Sequence, residues 1–285
     1  MEHKYEIAKI MNNNVILVRR IADDLESVLI GKGLGFQKKC GTITTIPTEQ
    51  IEKAFFTYDE KLKNDYHVLF RDMDSKVFGT CAELVSLAEK KLGELSPKLL
   101  IVLTDHISFA LERIKMGMEI ENPFIYEIKN IYPEEYAIAQ MGRDLFINSM
   151  GIDISEDEVG FIAWHLNAGK QNKNVAENVK STRLIKAIIE TVEKRIDYTL
   201  DVNSTSYNRF INHLKGLVFR TQHNENIVNP LQEAVRLELT DAYNIALEVK
   251  KEIKNGAQLT ITDDELAYLA IHINRLQLLS KIQNS

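Results

Sequence analysis

His106 and His165 stand 59 residues apart, and so do His213 and His272. One offset of 107 residues carries the first pair onto the second. It also carries Asn122-Pro123 onto Asn229-Pro230, Tyr136 onto Tyr243, Ala139 onto Ala246, Glu158 onto Glu265 and Asn167 onto Asn274. A period this long is not that of a solenoid unit; it is the size of a small domain, duplicated. The chain therefore reads as two tandem modules of one kind, each holding a histidine pair. An N-terminal piece of different character precedes them. Two copies suggest two inputs of one kind, and the odd piece suggests the output.

From residue 49 onward the apolar spacing is helical. Ser96-Pro97 reads as an N-cap followed by proline at the first helical position, and Gly117 stands where that helix should stop. Ser155 and Glu158 have capping-box spacing, and Thr262 and Glu265 repeat it in the second copy. Lys170-Gln-Asn-Lys-Asn174 is a short polar joint between the copies.

The N-terminal piece reads as short strands: Tyr5 to Ile10, Val15 to Val18 and Ser27 to Ile30, with turns at Asn12-Asn13-Asn14 and Asp23-Asp24. Gly31-Lys-Gly-Leu-Gly35 breaks the pattern. Phe36 to Lys39 then gives a last strand, and Thr42 to Pro47 a linker. A sheet this small buries little by itself, so dimerisation is expected. The expected architecture is a small, dimerising N-terminal antiparallel β-sheet domain followed by two homologous all-α helical-bundle domains. The boundaries are 1–58 with its linker, 59–171 and 172–285.

The net charge of −6 argues against nucleic-acid binding over the whole surface. It is unevenly spread: residues 1–45 carry +2 and the remainder −8. Cys40 and Cys81 form no ligand spacing, which suits a reduced, cytoplasmic chain. Apolar runs are short; the strongest, Leu99 to Leu103, stops at Asp105 and His106, so no membrane span is expected.

One histidine on an apolar helix face is ordinarily structural, and His106 shares its face with Val102, Leu103, Phe109 and Ala110. Four in matched register need another account. His3, His67 and His223 have no copy partner and read as surface residues. A metal site would need three or four ligands, and no Cys, Asp or Glu joins the histidines at ligand spacing. Acid–base catalysis would need a cleft that nothing in the sequence implies. Phosphoryl acceptance needs only a neutral imidazole within a donor's reach, and adds nearly two negative charges. Spacing alone leaves all three open.

In the N-terminal piece, Lys9, Lys32, Lys38 and Lys39 suit phosphates, Asn12 to Asn14 suit base edges, and Phe36 beside flexible glycines suits stacking on an unpaired base. The plainer reading is a solvated strand edge and a core Phe. The glycine run fits neither the dinucleotide fingerprint nor a P-loop.

Ile7-Ala-Lys-Ile-Met-Asn-Asn-Asn-Val15 with Ile30-Gly-Lys-Gly-Leu-Gly-Phe-Gln-Lys-Lys39 resembles the RNA-binding module of the BglG/SacY family of transcriptional antiterminators. Leu103-Thr-Asp-His-Ile107 and Ala163-Trp-His-Leu-Asn167 resemble the two histidine motifs of that family's phosphotransferase-system regulation domains. Phe210-Ile-Asn-His-Leu214 and Ala270-Ile-His-Ile-Asn274 repeat them. The resemblance spans essentially the whole chain in the family's domain order. Val28 to Gly33 and Asn122-Pro-Phe124 look most like the branch governing glucose-uptake genes.

The resemblance implies a cytoplasmic homodimer, not an enzyme and without a cofactor, that binds an RNA hairpin in a leader transcript and excludes a terminator. It implies control by histidine phosphorylation, from a sugar-specific enzyme II on the first regulation domain and from the carrier HPr on the second. Carried over, Asn14, Gly31 and Phe36 contact RNA, with Lys9 and Lys32 near it; Lys32 stands where some members have Arg and lacks its fork. His106, His165, His213 and His272 become the phosphorylation candidates. The alternatives are a DNA-binding activator with the same regulation domains, for which residues 1–45 lack a helix-turn-helix pattern, and a histidine-based metal enzyme.

Overall fold

The computed structural model describes residues 2–56 and 74–283. Five strands, β1 (Glu2–Ile10), β2 (Val15–Arg20), β3 (Glu26–Ile30), β4 (Ile43–Pro47) and β5 (Lys53–Phe56), form one sheet in the order β4-β1-β2-β3-β5. Every neighbouring pair is antiparallel. The register of β1 against β2 shifts between Ile7 and Lys9, a bulge that adds twist near the turn. Tyr5, Ile7, Ile16, Val18, Leu29, Leu34 and Ile46 form the core of one face. Val15, Leu17, Val28 and Ile30 are buried on the other, so Val15 to Val18 of β2 and Val28 to Ile30 of β3 read as unbroken apolar runs.

Three expectations for this region change. Phe36 to Lys39 is not a strand: residues 32–37 are turns, with Phe36 N donating to Gly33 O at 3.0 Å. Gly33 (φ 72°) and Gln37 (φ 55°) lie in the left-handed region, which ends extension. Thr42 to Pro47 is not a linker, because Ile43–Pro47 is edge strand β4, paired with β1 and contributing Ile46 to the core. Pro47 sits at its end, where a missing N–H costs no ladder bond. Lys53–Phe56, expected to be helical, is β5, paired with β3. The helical reading of 57–73, and His67 with it, lies outside the described residues.

The helices are α1 (Ser75–Leu92), α2 (Leu99–Lys115), α3 (Ile125–Ile131), α4 (Pro133–Met150), α5 (Glu156–Gln171), α6 (Val175–Ile196), α7 (Thr205–His223), α8 (Gln232–Glu238), α9 (Thr240–Ala257) and α10 (Asp263–Gln283). The 107-residue offset carries α3 onto α8 and α4 onto α9 end for end, and the start of α5 onto the start of α10. Gly117 (φ 71°) follows α2 as expected. Ser96 is not its N-cap: α2 begins at Leu99, and the Ser96 hydroxyl bonds Asn172 Oδ1 at 3.1 Å instead.

The described residues group into two compact units. One holds those up to Ile125 together with Tyr132–Val175; the other holds Tyr126–Ile131 and those from Ala176 on. In the first, α1 packs on α2 and α4, α5 packs on α2 and α4, and α1 lies against β2 and β3. In the second, α10 packs on α7, α8 and α9.

Candidate RNA face and histidine pairs

Two loops close one end of the sheet and hold each other. The Asn12 side-chain oxygen accepts from the backbone of Asn14 (2.8 Å) and Val15 (2.9 Å), which fixes the β1–β2 turn. Asn14 then joins the glycine loop: its backbone oxygen accepts from Gly31 N at 3.0 Å and its side-chain oxygen from Gly33 N at 2.9 Å. Gly35 N reaches Asn13 O at 2.9 Å. Gly31 and Gly35 are required by space, since a Cβ would stand 1.9 Å from Gln50 O at the one and 2.2 Å from Asn12 O at the other.

This junction brings Asn14, Gly31, Lys32 and Phe36 together. Lys32 is exposed, and Phe36 is 57% exposed, so it is no core residue. Lys9 lies on β1, paired with Leu17 close to the turn, rather than on the glycine loop.

The histidines of each copy meet. His106 on α2 and His165 on α5 have ring centroids 4.7 Å apart; His213 on α7 and His272 on α10 stack at 4.5 Å. Burial and then the charge of His106 push His165 down to about 3. Burial, then His272 and Arg220, push His213 down to about 3. Burial and Arg275 lower His272. Each pair thus holds a neutral imidazole at neutral pH, the form that can attack phosphorus.

A carboxylate does join the first pair, contrary to the reading from spacing: Glu158 Oε2 lies 3.1 Å from His106 Nε2. Spacing hid it because 52 residues separate the two in sequence. Its other oxygen accepts from Arg113 at 2.7 Å. Burial alone would raise the Glu158 pKa, but His106 and Arg113 outweigh burial and hold it below the usual carboxylate value. The second copy repeats the arginine, with Arg220 Nε 2.6 Å and its terminal nitrogen 3.1 Å from the two Glu265 oxygens. Among the described residues, no group of three or more His, Cys, Asp or Glu is arranged to hold a metal ion.

The helix caps form by half. Ser155 Oγ and Thr262 Oγ1 each accept from the backbone of their Glu at 3.3 Å. The glutamates do not return the bond, because their side chains turn inward to the arginines. Asn122 N and Asn229 N likewise bond Asp157 and Asp264, at 3.0 and 2.8 Å. Arg113 with Arg220 and Asp157 with Asp264 obey the 107-residue offset, so the repeat itself carried the signal that could have found them. Asp105, beside His106, is exposed.

Among the described residues, no helix is long and apolar enough to cross a membrane. The chain matches the CAT RNA binding domain over residues 5–64 and the PRD domain twice, over 82–169 and 186–276. It is 33% identical over 276 residues to a beta-glucoside operon antiterminator of Dickeya chrysanthemi, covering 95% of this chain and 96% of the relative. It is 32% identical over 275 residues to the transcription antiterminator LicT of Bacillus subtilis, covering 95% and 98%. It is 33% identical over 273 residues to protein GlcT of Staphylococcus haemolyticus, covering 95% of each. The crystal structure of GlcT CAT-PRDI shares 32% identity, 58% of this chain and 98% of its own, at a TM-score of 0.47. A CAT domain on a five-stranded sheet, followed by two helical PRD copies, places the chain in the family of RNA-binding transcription antiterminators, which are regulators rather than enzymes.

Proposed function

We propose that residues 1–58 bind an RNA hairpin in a leader transcript, that 59–171 and 172–285 read histidine phosphorylation, and that the protein works as a cytoplasmic homodimer. The observation that carries the RNA reading is the hydrogen-bonded junction of the Asn12–Asn14 turn with the Gly31–Phe36 loop, with Phe36 turned to solvent. A ring exposed beside donors and a lysine is the arrangement that stacks an unpaired base. Lys32 and Lys9 supply charge near the phosphates, without the bidentate geometry of Arg.

In the regulation domains, His106, His165, His213 and His272 accept phosphoryl groups, from a sugar-specific enzyme II at the first pair and from HPr at the second. A phosphate on His106 would set nearly two further negative charges beside Glu158. Relatives named for beta-glucoside and for GlcT match almost equally, so the proposal stays with a sugar phosphotransferase operon; Val28–Gly33 and Asn122–Phe124 favour the glucose branch.

The test is hairpin binding by the full chain. Phe36→Ala should lower affinity by about 10- to 100-fold, the worth of one stacked base, without disturbing the fold. Unchanged affinity removes the stacking role of Phe36. Phosphorylation with purified HPr and enzyme II, followed by site mapping, tests the histidines; label confined to other residues refutes their role.

A further inference from the structure

Helix α1 presents one stripe to the sheet, in which Gly79, Glu83, Ser86 and Lys90 recur at three- and four-residue spacing. At its centre, Glu83 holds the Asn12–Asn14 turn by both oxygens. Asn12 Nδ2 donates to Oε1 at 2.7 Å and Asn14 Nδ2 to Oε2 at 3.0 Å. The amide oxygens of both asparagines are already engaged at the loop junction, by Asn14 N and Val15 N at the one and Gly33 N at the other. Their NH2 groups are therefore what the turn can offer to an acceptor on RNA. A carboxylate only accepts, so it competes for the same hydrogens.

Three further features show that the approach is built. A Cβ on Gly79 would stand 2.8 Å from Asn12 Nδ2 and 3.0 Å from Met11 Cβ, so only glycine lets α1 come this close. Glycine inside a helix is otherwise unfavourable. Lys53 Nζ meets Glu89 at 2.8 Å and Lys90 meets Glu52, tying β5 and the residue before it to the same helix. A cleft of about 380 Å³ has Asn14, Gly31 and Lys32 on one wall and Glu83, Ser86 and Lys90 on the other.

The geometry points to an autoinhibitory clasp: Glu83 stands in for the RNA acceptor at Asn12 and Asn14, and RNA binds only after this carboxylate leaves. The inference rests on the reading of the two loops as the RNA face. It supplies what a phosphorylation-controlled regulator needs, a direct contact between the first PRD copy and the residues that bind. Besides competing for hydrogens, the Glu83 charge would repel phosphates at short range.

The test uses the full chain and a hairpin from the leader of the operon carrying the gene. Glu83→Ala should tighten binding about tenfold or more, since two charge-assisted hydrogen bonds no longer compete. Glu83→Gln should tighten it less, because an amide oxygen can still accept from one asparagine. Gly79→Val, which wedges α1 away without touching the charge, should tighten it as well. The side-chain amide NMR signals of Asn12 and Asn14 should shift in all three variants without RNA, which checks the contact in chains that remain folded. If Glu83→Ala and Gly79→Val bind as the parent or more weakly while Phe36→Ala loses the hairpin, the clasp is overturned and the RNA face stands. If Phe36→Ala and Asn14→Ala both bind as the parent, the RNA face falls and the clasp with it.

Discussion

Glu158 Oε2 lies 3.1 Å from His106 Nε2 between α2 and α5, whereas both oxygens of its counterpart Glu265 accept from Arg220. The copies share their spacing but not their electrostatics. Other neighbours differ too: exposed Phe109, packed on Arg113 at 4.8 Å, corresponds to Gly216, and Glu135, which accepts from Asn167 at 3.0 Å, corresponds to Ala242.

This asymmetry predicts unequal responses to added negative charge. His106→Asp should destabilise the first PRD copy by about 2 kcal/mol, because it sets a second carboxylate where His106 now lies 3.1 Å from buried Glu158. Adding Glu158→Gln should recover at least half of that loss, a coupling that a double-mutant cycle in urea measures. His213→Asp, facing Arg220, should cost less. Equal costs in the two copies would refute the asymmetry.

Glu158→Gln alone should cost roughly 2 kcal/mol, since the Arg113 side chain, 12% exposed, keeps its charge and loses its partner. The pH dependence has a definite sign. The folded pKa of Glu158 lies below its ordinary 4.5, so its contribution is complete above that value and is lost as pH falls through the folded pKa. Denaturation curves of parent and variant should converge as pH falls below 4.5 and through the folded pKa; a constant gap would contradict the ion pair.

His165 and His213 act at a higher pH. Both are pushed down to about 3 from 6.5, so the unfolded chain takes up protons that the folded chain refuses. Stability should be unaffected above 6.5 and fall on acidification below it, by at most about 1.4 kcal/mol per pH unit for each ring. Replacing either by Leu should flatten the decline between pH 6 and 4. NMR titration of the rings gives a direct check; a midpoint near 6.5 for either sinks the prediction.

Gly35→Ala should disrupt the loop junction, because the new methyl would stand 2.2 Å from Asn12 O. The expected cost is about 1–3 kcal/mol, together with loss of hairpin binding. Gly33→Ala meets no neighbouring atom within 4 Å and pays only for its φ of 72°, about 1 kcal/mol. Thermal unfolding of the two variants should rank them in that order.

The features legible in the sequence were those that depend on near neighbours or on the repeat. The Asn12–Asn14 and Asp23-Asp24 turns, the helix stop at Gly117 and the half caps at Ser155 and Thr262 follow from side chains acting within a few residues. Strand β4 is not legible in the sequence because Ile43-Thr-Thr-Ile46 has too little alternation to announce a strand, and it extends only because β1 offers it a ladder. Ser96 read as a cap because nothing local reveals that Asn172, 76 residues on, takes its hydroxyl.

By itself the sequence determined the two-copy architecture, the four register-matched histidines and the family, because duplication and helical periodicity are written along the chain. Only the tertiary structure decided which groups surround those histidines and what holds the RNA-facing turn. Glu158 comes to His106, and Glu83 to Asn12 and Asn14, from 52 and about 70 residues away. Such contacts have no period or motif to betray them. They arise where helices pack, and they set the field around each imidazole and the partner of each amide.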